Sequence, residues 1–334
     1  MAKFYYGGQA VMEGVMMRGR SSAAVAVRRP DNSIALYEEA LSPALYQNRL
    51  FRLPFLRGML LLWEMLVLGT RMMTLSANIA SGAVDPAAPT GPSFSPQMPF
   101  AQDPYNEDQQ EGALERPPQV GGAMLVVSLL FSLGFAVAIF FVAPLLLSSL
   151  LPGHMSWPGL VLEGLIRLGL LVGYLYLIGR VPDIQRVFGY HGAEHKTINA
   201  MEHGDPLDVE HVRRASRVHT RCGTGFLLLV MVVSIFVFAL VGSPPLLIKI
   251  VSRIVLVPVV AGIAYELMRL GAANYRYRVV RWLFAPGLAL QGLTTREPDD
   301  SMIECAIASL QRVLQRDGVA RGEESDVPPL VPSV

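Results

Sequence analysis

The chain has 334 residues, of which 52% are hydrophobic and 16% charged, and its formal net charge is +1. A charged fraction well below the roughly 25% of soluble domains argues against a soluble globular protein, and a net charge near zero gives no field that favours nucleic acid. The two cysteines, Cys222 and Cys305, are too few and too far apart for a disulfide framework, so we expect both to be reduced.

Residues 1–54 are mixed in composition and contain no continuous apolar run of signal-peptide length, so we expect insertion to rely on internal helices. Two runs of small and β-branched residues, 23–29 and 34–37, flank a turn signal at 30–33. This pattern predicts a β-hairpin within a cytoplasmic N-terminal segment.

A glycine-rich stretch, GGQAVMEGVMMRG at 7–19, precedes this hairpin. Its spacing is that of neither a P-loop nor a dinucleotide-binding fingerprint. Its polar residues are Gln9, Glu13 and Arg18. Two interpretations stay open: a turn-rich segment packed on the rest of the protein, or a loop whose Glu13 or Arg18 reaches a functional site.

Residues 55–79 have the length of a spanning helix but carry Arg57, Glu64 and Arg71 at intervals of seven residues. Such spacing places the three charges on nearly one helix face. A charge at the centre of a spanning helix costs about 2.5–3.5 kcal/mol on insertion scales. The stripe therefore predicts an amphipathic helix that lies on the membrane or packs against the bundle, with an additional span as the alternative.

Residues 80–121 contain eight prolines, six acidic residues and one arginine. Such a segment cannot bury enough apolar surface to offset the entropy of ordering, and it is predicted to be a disordered linker.

Long apolar segments follow the linker, each near or above the roughly 20 residues that cross a bilayer. They are 122–151, 159–180, 223–243 and 246–270. They predict an all-α membrane bundle of about four transmembrane helices, spanning 122–270, with a small N-terminal α+β hairpin segment and interfacial amphipathic helices.

The distribution of basic residues predicts the orientation of the bundle. The connection 181–222 is long and basic, and eight arginines lie from residue 269 onward. Because lysine and arginine are enriched in cytoplasmic loops, this connection and both termini are predicted to be cytoplasmic in a multi-pass protein of the plasma membrane.

The cytoplasmic tail, 271–334, contains two further patterns. Residues 272–290 mix arginines with Trp282, Phe284 and leucines, as interfacial segments do. Residues 299–317 have apolar positions at helical spacing after an aspartate-rich start, which predicts a capped amphipathic helix.

Five of the six histidines lie within the connection 181–222, and His191, Glu194 and His195 form the motif H-x-x-E-H. On a helix, the two histidines at i and i+4 share one face. The same order of residues occurs in zinc enzymes, where both histidines bind the metal and the glutamate acts as general base. Gly192 weakens the helix prediction, and a tight turn carrying the same side chains is the alternative.

Other residues of suitable chemistry complete the candidate site. His219 and Cys222 lie three residues apart just before the third apolar segment, and both are good zinc ligands. Glu266, near the cytoplasmic end of the fourth segment, is a further candidate ligand. Glu202 and His203 are additional candidates.

These motifs resemble the YqhQ-like family of bacterial membrane proteins of unknown function, which are described as predicted metal-dependent enzymes. The matching stretches are GGQAVMEGVMMRG at 7–19, YHGAEHKTINAMEHG at 190–204, HTRCGTGF at 219–226 and YEL at 265–267. The resemblance implies the membrane topology and a metal-dependent activity, and no established reaction comes with it.

Two functional hypotheses follow. The first is a metal-dependent hydrolase whose site opens to the cytoplasm at the membrane edge, with zinc held by His191, His195 and further ligands, Glu194 as base, and a membrane peptide or lipid as substrate. The second is a non-catalytic assembly or scaffold factor, in which the histidine-rich connection is structural or binds a membrane-protein partner. Both hypotheses place the chain in the lipid bilayer and exclude nucleic acid.

Overall fold

The computed structural model describes residues 6–41, 53, 55–82, 122–150, 157–242 and 244–318. The described part is mostly helical with one small sheet, as the composition and periodicity predict. Most of the predicted linker and the last residues of the tail lie outside the described residues. The division of the chain into cytoplasmic, membrane and tail segments stays a prediction.

The sheet has four antiparallel strands in chain order. They are β1 (Gly7–Val11), β2 (Gly14–Arg18), β3 (Ser22–Arg28) and β4 (Ile34–Ala40). The pairing of β3 with β4 confirms the predicted hairpin. The stretch 7–19 packs on the rest of the protein, as one interpretation expects, but its form is the hairpin of β1 and β2 around a two-residue turn. Gly14 is needed there, since a Cβ would lie 2.2 Å from the Ala26 carbonyl oxygen.

The helices follow the sheet in chain order. They are α1 (Leu56–Ala80), α2 (Gly122–Val137), α3 (Ala143–Ser149), α4 (Trp157–Ile178), α5 (Pro182–His203), α6 (Val209–Arg214), α7 (Gly223–Leu240), α8 (Leu246–Val255), α9 (Val257–Ala273), α10 (Arg278–Thr294) and α11 (Asp300–Arg316). One π-helical turn, Ala138–Val142, joins α2 to α3. Helix α11 lies where the capped helix is predicted, and Asp299 caps it by accepting from the Met302 N–H.

The two faces of the sheet bury different residues, because alternate side chains of a strand point to opposite faces. On one face, Val15 and Met17 of β2 pack with Tyr190 of α5 and Leu310 of α11. On the other face, Met16 packs with residues of the C-terminal half of α1. The sheet therefore lies between α1 and the pair α5–α11, and it brings the glycine-rich stretch against α5.

The three charges of α1 all have protein partners. Arg57 pairs with Glu266 of α9, Glu64 pairs with Arg18 of β2 at 3.0 Å, and Arg71 pairs with Glu39 of β4 at 2.8 Å. The charge stripe thus faces the sheet and α9, where ion pairing offsets the desolvation cost that argued against a span.

Four described helices are long and apolar enough to cross a membrane: Leu56–Ala80, Val127–Ser149, Gly159–Ile178 and Gly223–Leu240. Three of them lie in predicted spans, and the fourth is α1. The predicted span at 246–270 is formed by two helices, α8 and α9, which together are long and apolar enough to cross a membrane but are bent by 46°. Pro258, in the first turn of α9, lacks the N–H that a continuous helix would use there.

The connection 181–222 is not a loop, because α5 and α6 occupy most of it. Helix α5 begins with Pro182, whose fixed φ suits a first helical turn. It ends at Gly204, whose φ of 80° is the left-handed conformation typical of a helix C-cap. The histidine motif therefore lies on a regular helix of 22 residues.

Candidate metal site

His191, Glu194 and His195 lie on the middle turns of α5, so the helical alternative is the one observed. Gly192 has a packing role in this helix. A Cβ at this position would lie 2.1 Å from the Arg296 carbonyl oxygen, so glycine lets the chain after α10 run directly along α5. The Arg296 N–H donates to the Phe188 carbonyl of α5 at 2.9 Å and holds this contact.

Cys222 reaches the motif from the N-cap position of α7. One ligand atom from each of His191, His195 and Cys222 lies within 4.8 Å of the others. The Cys222 Sγ is 3.4 Å from the His191 Nε2 atom, and the two imidazole centroids are 4.4 Å apart. Two imidazoles and a thiol are a donor set that suits zinc.

Main-chain carbonyls fix the orientation of both imidazoles. The His191 Nδ1 atom lies 2.8 Å from the Thr294 carbonyl oxygen, and the His195 Nδ1 atom lies 2.6 Å from the Arg217 carbonyl oxygen. A carbonyl only accepts, so each Nδ1 must carry a proton and donate it. Nε2 is then the ring atom left to bind a metal, and in His191 this atom lies beside the Cys222 Sγ, as is usual for metal-binding histidines.

Glu194 contributes a carboxylate to the same space. Its Oε2 atom is 3.9 Å from the His191 Nε2 and 3.7 Å from the His195 Nε2. The residue is only 4% exposed, and burial raises the pKa of its carboxyl, while His191 and the Gly8 N–H act in the opposite direction. A Cβ at Gly8 would lie 2.8 Å from the Glu194 Cγ, so β1 approaches the site through a glycine.

His219 lies beside this group but not in it. Its ring centroid is 5.5 Å from that of His195, and its Nε2 is 4.0 Å from a Glu202 oxygen and 3.2 Å from the Arg221 guanidinium. Burial, with the charge of Arg221, holds the pKa of His219 well below its ordinary value, so this imidazole is neutral at pH 7. Glu202 forms an ion pair with Arg221. His219 and Glu202 therefore belong to the surroundings of the cluster.

The structure places the other predicted site residues elsewhere. Glu266, predicted as a ligand, pairs with Arg57 and accepts from the Phe55 N–H. The His203 Nδ1 donates to the Asn199 carbonyl of its own helix at 2.6 Å. Neither Glu266 nor His203 belongs to the group of three possible metal ligands found among the described residues.

The polar side chains of the glycine-rich stretch do not reach the histidines. The interpretation that Glu13 or Arg18 reaches the functional site is therefore wrong. Glu13 pairs with Arg186 and Tyr190 of α5, and Arg18 pairs with Glu64 of α1. Gln9 packs with its amide against Gly69 of α1. The glycine-rich stretch contacts the site through the main chain of Gly8 instead, because the side chains of this stretch pack on the two faces of the sheet.

Sequence reasoning missed the residues that support the cluster. Gln291 binds the main chain of His219, while Thr294 and Arg217 supply the carbonyls that orient the imidazoles. Gln291 stands as a lone amide in the apolar run LALQGL, which is a weak signal. Main-chain carbonyls have no side-chain signature at all, so no sequence pattern marks the other two.

Comparisons with known proteins agree with the resemblance seen in the motifs. Residues 53–316 match a family described as "Protein of unknown function (DUF1385)". The chain is 33% identical over 321 residues to an uncharacterized protein of Bacillus subtilis (strain 168), YqhQ, with 94% of each chain covered. No solved structure matches. These matches name no reaction, substrate or cofactor.

Proposed function

The chain belongs to the DUF1385 family, and we propose that it is an integral membrane protein whose His191, His195 and Cys222 bind one divalent metal ion, with zinc preferred. The observation that carries this proposal is the convergence of the three donors, with both Nδ1 atoms already donating to carbonyls. A thiol beside two imidazoles favours zinc over harder ions such as magnesium or calcium, which prefer oxygen ligands.

The distribution of apolar and charged side chains on α8 supports insertion in the bilayer. Leu247 and Ile254 are 72% and 52% exposed, whereas Lys249 and Arg253 are 7% and 2% exposed. A helix that presents its leucines outward and buries its cations is stable when hydrocarbon, and not water, surrounds it. We place the protein in the plasma membrane with both termini cytoplasmic, on the basic residues of 181–222 and of the tail.

Helix α1 is proposed to enter the bundle without crossing it. Its N-terminal half contacts α9 through Gly58 and Tyr265, while Leu68 and Ile79 in its C-terminal half pack on the sheet. The same sheet packs on α5, which carries the metal site. The chain on both sides of α1 is therefore assigned to the cytoplasmic side.

The proposed activity is metal-dependent hydrolysis at the cytoplasmic edge of the membrane. A bound zinc ion would supply Lewis acidity toward a carbonyl or phosphoryl oxygen and would acidify water. We assign Glu194 the role of the base that takes a proton from water; the support for this role is that its oxygen lies within 4 Å of both imidazoles. The N–H of Gly8 donates to this carboxylate and fixes its position.

A second candidate function is a structural zinc site in a non-catalytic assembly factor. The observation that favours it is the deep burial of Glu194, His195 and Cys222, which are 4%, 1% and 4% exposed. If Glu194 is the fourth ligand, the site has the closed tetrahedral shell of structural zinc sites.

The metal content of the full chain, purified in detergent without chelators, tests the proposal. Elemental mass spectrometry should find zinc near one ion per chain, and the His195→Ala variant should lose it. The matched control is His211→Ala, an exposed histidine that pairs with Asp208 outside the cluster. Equal metal content in the two variants, or none in the folded wild-type protein, would overturn the metal site.

The Glu194→Gln variant separates the two candidate functions. Retention of zinc near one ion per chain supports the role of a base, because the ligands are then complete without the carboxylate. Loss of zinc to the level of His195→Ala supports the closed structural site instead.

A further inference from the structure

Helix α10 lies across the ends of three apolar helices. At the end of α9, a Cβ on Gly271 would lie 2.0 Å from the Phe284 ring, so the two helices touch there. At the start of α7, a Cβ on Gly287 would lie 3.5 Å from the Gly225 Cα. Just after α4, the Gly179 carbonyl accepts a hydrogen bond at 2.9 Å from a guanidinium two residues beyond α10. The proposed topology puts these three ends on the cytoplasmic side, so α10 lies along the cytoplasmic interface of the membrane.

The side of α10 that faces away from the protein carries an apolar stripe. Val279, Trp282 and Leu283 share one helix face, at spacings of three and four residues, and are 70%, 81% and 66% exposed. A contiguous apolar surface of this kind marks a contact with a membrane or with another protein. Tryptophan is enriched where acyl chains meet head groups, because its ring is apolar and its N–H needs a polar partner. The stripe therefore suits the boundary between the acyl chains and the head groups.

Three arginines accompany this stripe and have no carboxylate partner in the part of the chain that the structure describes. Arg276 and Arg278 are exposed, and Arg281 is half-buried. Arg276 donates to the Tyr277 hydroxyl at 2.7 Å, and none of the three forms an ion pair there. Residues 267–296 contain no aspartate or glutamate, so the surrounding sequence supplies no counter-charge either. These cations are therefore available to an anion from outside the segment.

We infer that residues 276–283 bind the head groups of anionic phospholipids in the cytoplasmic leaflet, with the guanidinium groups on the phosphates and the apolar stripe among the acyl chains. Arginines next to a span attract anionic lipids, and the planar guanidinium matches a pair of phosphate oxygens. The acidic stretch 103–115 of this chain has five carboxylates for the same arginines, but it is mostly polar and would leave the stripe uncovered. This inference rests on the proposed insertion in the bilayer and not on the metal site.

Tryptophan fluorescence of the full chain in proteoliposomes tests the inference. The chain has three tryptophans, so the background Trp63→Phe/Trp157→Phe leaves Trp282 as the only one that emits. The probes are phosphatidylglycerol and phosphatidylcholine, each brominated on its acyl chains and mixed in turn with the other lipid unlabelled, because bromine quenches tryptophan on contact. We expect phosphatidylglycerol to be about fivefold preferred over phosphatidylcholine at Trp282.

Two pairs of substitutions in this background locate the preference. Arg278→Gln/Arg281→Gln should lower it to less than about twofold, because the guanidinium groups beside Trp282 are lost. The matched control is Arg213→Gln/Arg214→Gln, which removes two exposed arginines of α6 that pair with acidic side chains. This control should keep the preference of the starting protein.

Three results would overturn the lipid site. They are equal quenching by the two brominated lipids, an equal loss of preference in both arginine pairs, and weak quenching by both lipids, which would mean that protein covers the stripe. Extraction of the same vesicles with alkaline carbonate reports insertion separately. A chain that stays in the vesicles without a preference for phosphatidylglycerol refutes the lipid site and leaves the insertion standing, whereas a chain that is extracted refutes the insertion itself and the lipid site with it.

Discussion

Gln291 binds the main chain of His219 through both ends of its amide: its nitrogen donates to the His219 carbonyl at 2.8 Å, and its oxygen accepts from the His219 N–H at 3.0 Å. Gln291 is 1% exposed and His219 is 5% exposed, so water cannot replace either bond. Because Cys222 follows His219 by three residues, this pair positions the segment that delivers the thiol to the cluster.

Replacing this amide should therefore destabilise both the fold and the site. In Gln291→Leu, two buried main-chain groups lose their partner, at a cost of about 2–4 kcal/mol in the free energy of unfolding. We expect a lower Tm in detergent and a weaker affinity for zinc. Gln311→Leu, an exposed glutamine of α11, is the control and should change stability by less than about 0.5 kcal/mol. Equal Tm values for the two variants would contradict the positioning role.

The approach of β1 to Glu194 leads to a second prediction. A Cβ at Gly8 would lie 2.6 Å from the Met16 carbonyl oxygen and 2.8 Å from the Glu194 Cγ, whereas a Cβ at Gly7 meets nothing within 4 Å. Gly8→Ala should thus cost about 1–3 kcal/mol through overpacking and should displace Glu194, while Gly7→Ala should leave both unchanged. Chemical denaturation and zinc titration of both variants measure this contrast. A Gly8→Ala protein with wild-type stability would show that the strand does not restrain the carboxylate.

Part of this site is predictable from the sequence, and the reason is helical periodicity. His191 and His195 share a helix face whenever the segment is helical, so the motif alone places them together. Cys222 is predictable as a ligand by its chemistry and its position before an apolar segment, and the fold confirms its nearness to His191. The sequence predicts only two of the four strands, β3 and β4. The strands β1 (GGQAV) and β2 (GVMMR) lack the β-branched pattern that marks 23–29.

Glu266 shows why the rest is not predictable. A carboxylate at the end of an apolar helix suits a metal ion and an arginine equally well, and the choice depends on which helix packs beside it. Arg57 of α1 takes this position, and nothing in the local sequence of either residue encodes the contact. The role of the Thr294 and Arg217 carbonyls is not predictable for a different reason. Every residue has a carbonyl, and only the fold determines where it points.

The pair of Glu13 and Arg186 predicts a dependence of stability on pH. The hydrogen bond from Arg186 lowers the pKa of Glu13 below its ordinary value. A carboxyl whose pKa is lower in the folded state stabilises the fold at pH values above its unfolded pKa, and this contribution is lost as the pH falls through the folded value. The Tm difference between wild type and Glu13→Gln should therefore be present at pH 7 and should shrink below about pH 4.5.

The control for this experiment is Glu210→Gln, because Glu210 is 66% exposed in its pair with Arg214. An exposed pair contributes little, so that variant should follow wild type across the whole pH range. The prediction is wrong if Glu13→Gln and wild type keep the same Tm difference from pH 3 to pH 7.

The last prediction concerns Glu163, the single acidic residue in 122–181; residues 223–265 contain none. It accepts from Arg167 at 2.7 Å and from Arg253 at 3.1 Å, and the three residues are 4%, 1% and 2% exposed. Glu163→Gln leaves two buried guanidinium groups without a counter-charge, which costs about 3–5 kcal/mol when a buried pair loses one partner. We expect a large fall in Tm for the full chain in nanodiscs.

A double variant distinguishes loss of charge balance from loss of packing. Glu163→Gln combined with Arg253→Gln removes one anion and one cation together, so it should recover part of the stability that Glu163→Gln loses alone. If the double variant loses as much stability as Glu163→Gln and Arg253→Gln lose in sum, the arginines must be solvated. The argument that α8 buries its cations in a hydrocarbon environment is then wrong. If stability is recovered, the ion pair joins α4 to α8 in a medium of low dielectric constant, as a membrane-embedded bundle requires.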